Sequence, residues 1–291
     1  MACIEARGLR KAFGTNVALD EVDLRVEEGR ILGLIGANGA GKTTALNVIL
    51  GLTPYQGELR VLGLDPWTQR DQLMRDVCFI ADVAVLPRWI KVSQALDYVA
   101  GVHPRFDRAK AEGFLAKTTI RRSSKVKELS KGMVAQLHLA LVMALDVKLL
   151  VLDEPTLGLD ILYRKKFYDS LLNDYFDRNR TIVVTTHQVE EVQHVFTDLM
   201  FIDRGRIVFN CSMEEIESRY LEVMVSPDQV AAAQALRPIY QRQVFGRSIL
   251  LFDHVERQQL AALGEVRTPS VADLFIAVME NQAGRTQGAA R

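Results

Sequence analysis

The chain has 291 residues, 36 Lys and Arg against 36 Asp and Glu, 48% hydrophobic and 25% charged residues. Such an ordinary globular mixture excludes collagen-like, disordered and disulfide-framework classes, and the length suits one large domain or two modest ones. Zero net charge argues against bulk electrostatic coating of nucleic acid or an anionic membrane, and scattered Cys3, Cys78 and Cys211 read as reduced thiols without metal-ligand spacing.

Ile4, Ala6 and Leu9, then Val22, Leu24 and Val26, alternate with polar positions and predict half-buried strands. ILGLIG (31–36) is continuous and apolar, the pattern of a central parallel strand covered on both faces. It runs into NGAGKTTALNVILGL, where Ala45, Leu46, Ile49 and Leu50 have helical spacing. A short strand is expected at 58–62. KVSQALDYVAGV, RAKAEGFLAKT and the segment after LSKGM predict three helices within about 83–147. LLVLDE (149–154), a charged helix at about 161–178, the buried strand TIVVTTH (181–187), a helix at about 188–197 and a hairpin around Gly205 follow. Buried strands alternating with helices indicate a parallel α/β sheet. Beyond residue 213, EVMV and SILLFD read as strands separated by an Ala- and Gln-rich helix. VADLFIAVMEN reads as a last helix, and the polar tail QAGRTQGAAR as disordered.

The longest purely apolar stretch, Leu139 to Leu145, is far short of the ~20 residues that a spanning helix needs. The first residues, MACIEARGLRKAFG, show no signal-peptide pattern, so a soluble chain is expected, held at any membrane by something else.

Gly36 to Thr43 satisfy G-x-x-x-x-G-K-[ST] between a buried strand and a helix. A polyphosphate must be surrounded by backbone N–H groups, so the chain has to curl tightly with nothing projecting inward, which glycine permits. The following helix aims free amides at the same anion. Gly36, Asn38, Gly39, Gly41, Lys42, Thr43 and Thr44 are therefore candidate nucleotide-binding residues. Lys42 supplies charge to the outer phosphates, and the Thr43 hydroxyl is a Mg²⁺ ligand. Asp153, ending LLVLD, is the candidate acid that holds Mg²⁺. Glu154 leaves the strand in another direction and is a candidate general base toward an attacking water.

With LSKGM (129–133), LLVLDEPTLGLD (149–160) and TTH (185–187) following the phosphate loop in order, residues 1 to about 210 resemble the nucleotide-binding subunit of an ABC transporter. The resemblance implies a P-loop α/β fold of the ABC type: a parallel sheet core, an N-terminal antiparallel β part and an inserted helical subdomain. The change of sequence character beyond residue 213 sets that domain at 1–212 and leaves 213–291 as a small C-terminal α/β accessory domain, expected as either a regulatory or dimerising part or a packing appendage. The resemblance implies that Ser130 and Gly132 belong to the signature motif, Asp160 to the D-loop and His187 to the γ-phosphate switch, and that Phe13 stacks on adenine. Asp82 stands at the Q-loop position, where glutamine is usual, and is carried as a third Mg²⁺ ligand. Lys131 and Met133 also depart from the usual LSGGQ signature. Arg121 to Lys127 form a solvated basic face, or a face that touches lipid headgroups or a partner.

Residues 86–112 and LSKGM…DEPTLGLD are similar to bacterial drug and antibiotic efflux subunits. The implied protein is an ATPase with ATP and Mg²⁺ as cofactors, coupling binding and hydrolysis in a head-to-tail dimer to a separately encoded polytopic membrane subunit. The dimer is a homodimer or heterodimer, the location peripheral on the cytoplasmic face of the cell membrane, and no nucleic-acid partner is expected. The alternative is a soluble ABC-type ATPase without a transport role. Only one phosphate loop exists in the chain, and no heptad run separates Lys42 from Ser130, which disfavours ribosome-associated and DNA-repair members.

Overall fold

The structure is a computed structural model that describes residues 1–80, 86–157, 159–177, 179–187, 189 and 193–288, with side chains through Gln282. Strands β1 (Ala2–Phe13) and β2 (Asn16–Glu27) open the chain, and β3 (Ile31–Ile35) follows. Then come α1 (Lys42–Ile49), β4 (Gln56–Val61), α2 (Arg70–Leu73) and β5 (Val77–Ile80). Helices α3 (Val92–Val102), α4 (Arg108–Leu115) and α5 (Lys131–Met143) precede β6 (Leu149–Asp153), α6 (Ile161–Ser170), β7 (Thr181–Thr186), β8 (Asp198–Asp203) and β9 (Arg206–Ser212). The C-terminal part holds α7 (Met213–Arg219), β10 (Tyr220–Val225), α8 (Val230–Ala235), β11 (Tyr240–Val244), β12 (Arg247–Asp253), α9 (Arg257–Ala261), β13 (Glu265–Arg267) and α10 (Val271–Gly288).

Among the described residues these strands form three sheets. The alternating β1 and β2 pair antiparallel, with β4 on the other side of β1. The central sheet runs β5-β6-β7-β3-β8-β9, parallel up to β8, with β9 returning antiparallel. Every residue of β3, β6 and β7 is buried, which explains why those segments are continuous runs of apolar residues and Thr, closed in β6 by Asp153, rather than alternating. Register then places the site: Leu34 of β3 and Asp153 of β6 both stand beside Thr185 of β7. The chain crosses from strand to loop at this carboxyl edge, where open α/β sheets leave a binding crevice.

Helices α3, α4 and α5 pack on one another around Val92, Leu96, Ala111, Leu115, Leu137 and Leu141, a core separate from that of the sheet. The four-stranded sheet β11-β12-β10-β13 has its own small core of Leu221, Val223, Leu250, Phe252 and Leu260. Helix α10 then returns to the main core, where Phe275 meets Phe201 edge to face at 5.1 Å. No helix among the described residues is long and apolar enough to cross a membrane.

Several details differ from the sequence expectations. The third helix starts within LSKGM, at Lys131, rather than after it. The helix expected at 161–178 ends its regular turns at Ser170 and widens into a π turn over Leu171–Tyr175. Where a helix was expected at 188–197, the described residues show a short 3-10 turn, Gln193–Val195. The polar tail was expected to be disordered, yet its backbone continues α10 through Gly288. Strands β11 and β13 are polar or only three residues long and half exposed, so they carry no hydrophobic pattern to detect.

Candidate functional site

The phosphate loop joins the end of β3 to α1. Gly41 caps the helix with φ 113°, and Gly39 has φ 81°. A Cβ on Gly36 would lie 2.5 Å from the Ile202 carbonyl oxygen, and one on Gly41 2.7 Å from that of Ala18. The back of the loop is therefore pressed against β8 and β2, while at Gly39 a Cβ would meet nothing within 4 Å. That leaves an open cradle of backbone amides at the start of a helix, which suits an anion. Lys42 is 7% exposed; its Nζ donates to Gly36 O at 2.7 Å and Ala37 O at 3.3 Å. The ammonium is folded onto its own loop, within reach of the cradle it would serve.

The two adjacent carboxylates part company. Asp153 is 8% exposed and accepts from Thr43 Oγ1 at 3.0 Å on one oxygen and from the Thr185 hydroxyl on the other. Glu154 turns into the left-handed region at φ 48°, and its N–H donates to Thr185 O at 3.1 Å and Thr185 Oγ1 at 3.2 Å. This turn sends its carboxylate the other way, 2.9 Å from His187 Nδ1 and 3.8 Å from Lys42 Nζ. A non-glycine residue in that conformation is costly, and the two hydrogen bonds to Thr185 hold it there. Thr43 and Asp153 place two hard oxygens side by side, a fit for a divalent cation shared with substrate phosphates. No group of three or more His, Cys, Asp or Glu among the described residues could hold a metal by itself.

A cleft of about 560 Å³ runs from this centre to Phe13, lined also by Asn16, Ala18, Asn38, Thr44 and Arg204. Phe13 is 54% exposed at its rim, with Lys11 Nζ 4.7 Å from the ring centre. An aromatic face left open beside a phosphate cradle can take a base by stacking. Two other clefts are as large, about 580 Å³ each, and neither contains a residue of the phosphate loop. Chemistry rather than size selects the site.

Of the expected site residues, Phe13, Asn38, Gly39, Gly41, Lys42, Thr43, Thr44, Asp153 and Glu154 line this one cleft, with Gly36 and His187 in direct contact with them. Ser130, Gly132 and Asp160 do not line it. Ser130 caps α5 by accepting from Met133 N at 3.3 Å, and Asp160 caps α6 by accepting from Tyr163 N at 3.0 Å. A Cβ on Gly132 would lie 3.1 Å from the Tyr163 ring, so these three form a second cluster at the starts of α5 and α6. Asp82 lies outside the described residues. Sequence reasoning missed Thr185, which bonds the Asp153 carboxylate and the Glu154 backbone N–H; its place before His187 on a strand beside β6 was the available signal.

A family model described as ABC transporter matches residues 19–157. The chain is 34% identical over 220 residues to a Nod factor export ATP-binding protein I of Cupriavidus metallidurans, covering 70% of this chain and 69% of that one. It is 30% identical over 247 residues to a daunorubicin resistance ATP-binding protein of Streptomyces coeruleorubidus, covering 81% and 78%. Among solved structures, an ATP-binding subunit of an ABC transporter superposes with a TM-score of 0.66 at 24% identity, covering 74% of this chain and 92% of that one. An ATP-binding cassette in its ADP conformation gives 0.63 at 21% identity, covering 74% and 92%. These last two likenesses speak for the fold. With the phosphate cradle and the paired carboxylates in one cleft and the histidine against Glu154, the chain belongs to the ABC transporter family, as an ATP-binding subunit that hydrolyses ATP.

Proposed function

We propose that this ATPase is the motor subunit of an exporter and works as a head-to-tail pair beneath a separately encoded polytopic membrane subunit, on the cytoplasmic face. The observation that carries this reading is the division of the site: Lys42 and Glu154 share one cleft with His187 in contact with Glu154, while Ser130, Gly132 and Asp160 cluster elsewhere on the same chain. A helix start that caps itself with Ser130 favours an anion, and it completes a site only against the nucleotide of a second chain. Relatives named for Nod factor export and daunorubicin resistance support outward transport.

In the proposed reaction the phosphate-loop amides fix the polyphosphate, and Lys42 exchanges its bonds to Gly36 and Ala37 for the outer phosphates. Thr43 and Asp153 would hold Mg²⁺, which when bound neutralises phosphate charge. Glu154 Oε1 accepts the proton of the attacking water, and His187 orients that carboxylate and faces the γ-phosphate. Phe13 carries the base. Binding favours the closed pair, and loss of the γ-phosphate releases it, so nucleotide shifts a two-state equilibrium between chains.

Residues 1–212 form the ATPase part in this reading, and 213–291 an accessory part tied back by α10. The test is purification from native membranes, which should bring down a polytopic subunit whose presence raises ATP turnover. Stimulation by ribosomes or DNA and by no membrane protein would overturn the transport reading.

A further inference from the structure

The β8–β9 hairpin turns through Arg204 (φ 46°) and Gly205 (φ 77°), two successive left-handed residues inside the Asp203–Arg206 pair, which makes a type I′ connection. Gly205 fastens this tip to both halves of the nucleotide cleft. Its N–H donates to Ala40 O of the phosphate loop at 2.8 Å, and its carbonyl accepts from Asp20 N of β2 at 2.9 Å. A Cβ there would stand 2.7 Å from Ala18 O, so the contact requires glycine. Arg206 pins the base of the turn through a 3.0 Å hydrogen bond from its Nε to Asp20 Oδ2.

Arg204 therefore sits at the seam where the Phe13 platform meets the phosphate loop, and it lines the cleft with Phe13, Asn16, Lys42 and Thr44. Its side chain is 83% exposed, and its contact with an acid among the described residues is Asp203 at 3.9 Å, beyond hydrogen-bond distance. The same turn geometry recurs at Phe245 and Gly246 in the C-terminal sheet, so Arg204 differs from that turn in its place beside the cleft rather than in its backbone. A nucleotide with its base on Phe13 and its outer phosphates at Lys42 must pass its ribose and α-phosphate along this seam. A guanidinium offers five donors to such oxygens.

We propose that Arg204 is a nucleotide-binding residue that donates to the α-phosphate and ribose oxygens, so that it holds ATP and ADP alike. The inference rests on the nucleotide reading of the cleft. It assigns the hairpin tip a part in affinity and none in the bond-breaking step.

The test is R204N, because asparagine favours this turn while the long guanidinium side chain is lost, with R204K as the charge-retaining variant and K42A as the control for the cleft itself. Affinities for ATP and ADP are measured by titration calorimetry alongside steady-state hydrolysis. R204N should weaken both nucleotides about five- to tenfold and raise KM to match, with kcat within about twofold of wild type; R204K should recover part of the loss. Unchanged affinities in R204N, with K42A abolishing binding, overturn the role of Arg204 and leave the cleft assignment standing. Weakened ATP with unaltered ADP would overturn it too, since the contact would then lie on the outer phosphate. Failure of wild type to bind either nucleotide would sink the cleft reading itself.

Discussion

His187 Nδ1 lies 2.9 Å from Glu154 Oε1, joining residues 33 positions apart at the ends of β7 and β6. The contact exists because Glu154 leaves its strand with φ 48° and turns its carboxylate away from Asp153. One acid is left to Thr43 and the other to His187 and Lys42, the separation that the proposed metal-holding and proton-accepting roles require.

Glu154→Gln keeps the size and the hydrogen bonds of this residue but removes the proton acceptor. Hydrolysis should fall about 10²- to 10³-fold while ATP affinity stays within a few-fold. Phosphate release at saturating ATP, together with a binding titration, checks both halves of this statement.

Thr185→Val preserves side-chain volume and deletes the hydroxyl that reaches both Asp153 and the Glu154 N–H. Leaving those buried partners short of a bond should cost about 1–3 kcal/mol of stability and lower hydrolysis at least several-fold. Thr185→Ser should restore both. Urea unfolding and phosphate release read the two effects.

Gly41→Ala and Gly39→Ala should differ sharply. At Gly41 a methyl group meets Ala18 O at 2.7 Å and the backbone φ is 113°; at Gly39 the φ is 81° and the space is open. The first should lower ATP affinity more than a hundredfold, because displacement of the loop adds to the strain of a left-handed residue; the second should lose only that strain, about 1–2 kcal/mol. Calorimetric titration of the two variants separates clash from strain.

Much of the fold was legible because ILGLI, LLVLD and TIVVTT are uninterrupted buried runs, and each expectation of a parallel strand rested on that pattern. The phosphate loop was legible because its glycines answer to geometry that no other residue satisfies. Thr185 was not legible as a brace, since its role depends on the register that sets it beside Asp153. Arg204 escaped for a similar reason: a turn residue reaches the cleft only once Gly205 is bonded to Ala40. The polar β11 and the short β13 are edge strands held by backbone pairing with few apolar residues, too few to stand out in a hydropathy pattern.

Acid should weaken the helical part through His138 of α5. The side chain is 9% exposed, Nε2 has no partner among the described residues, and burial pushes its pKa down to about 4 from the ordinary 6.5. The unfolded chain takes up the proton first, so this stability is complete above pH 6.5 and drains as pH falls toward 4. Between pH 7 and pH 5 the loss from this one group should be about 2 kcal/mol. Urea unfolding of His138→Leu at the two pH values should show a correspondingly smaller drop than wild type.

The central claim is that each chain carries complementary halves of two reaction centres, and light scattering of Glu154→Gln with Mg-ATP tests it most directly. The expected mass is twice the 32.6 kDa of one chain, reverting to a single chain when nucleotide is removed. A lone chain at saturating Mg-ATP, together with wild-type turnover per molecule that does not change on dilution, would contradict it.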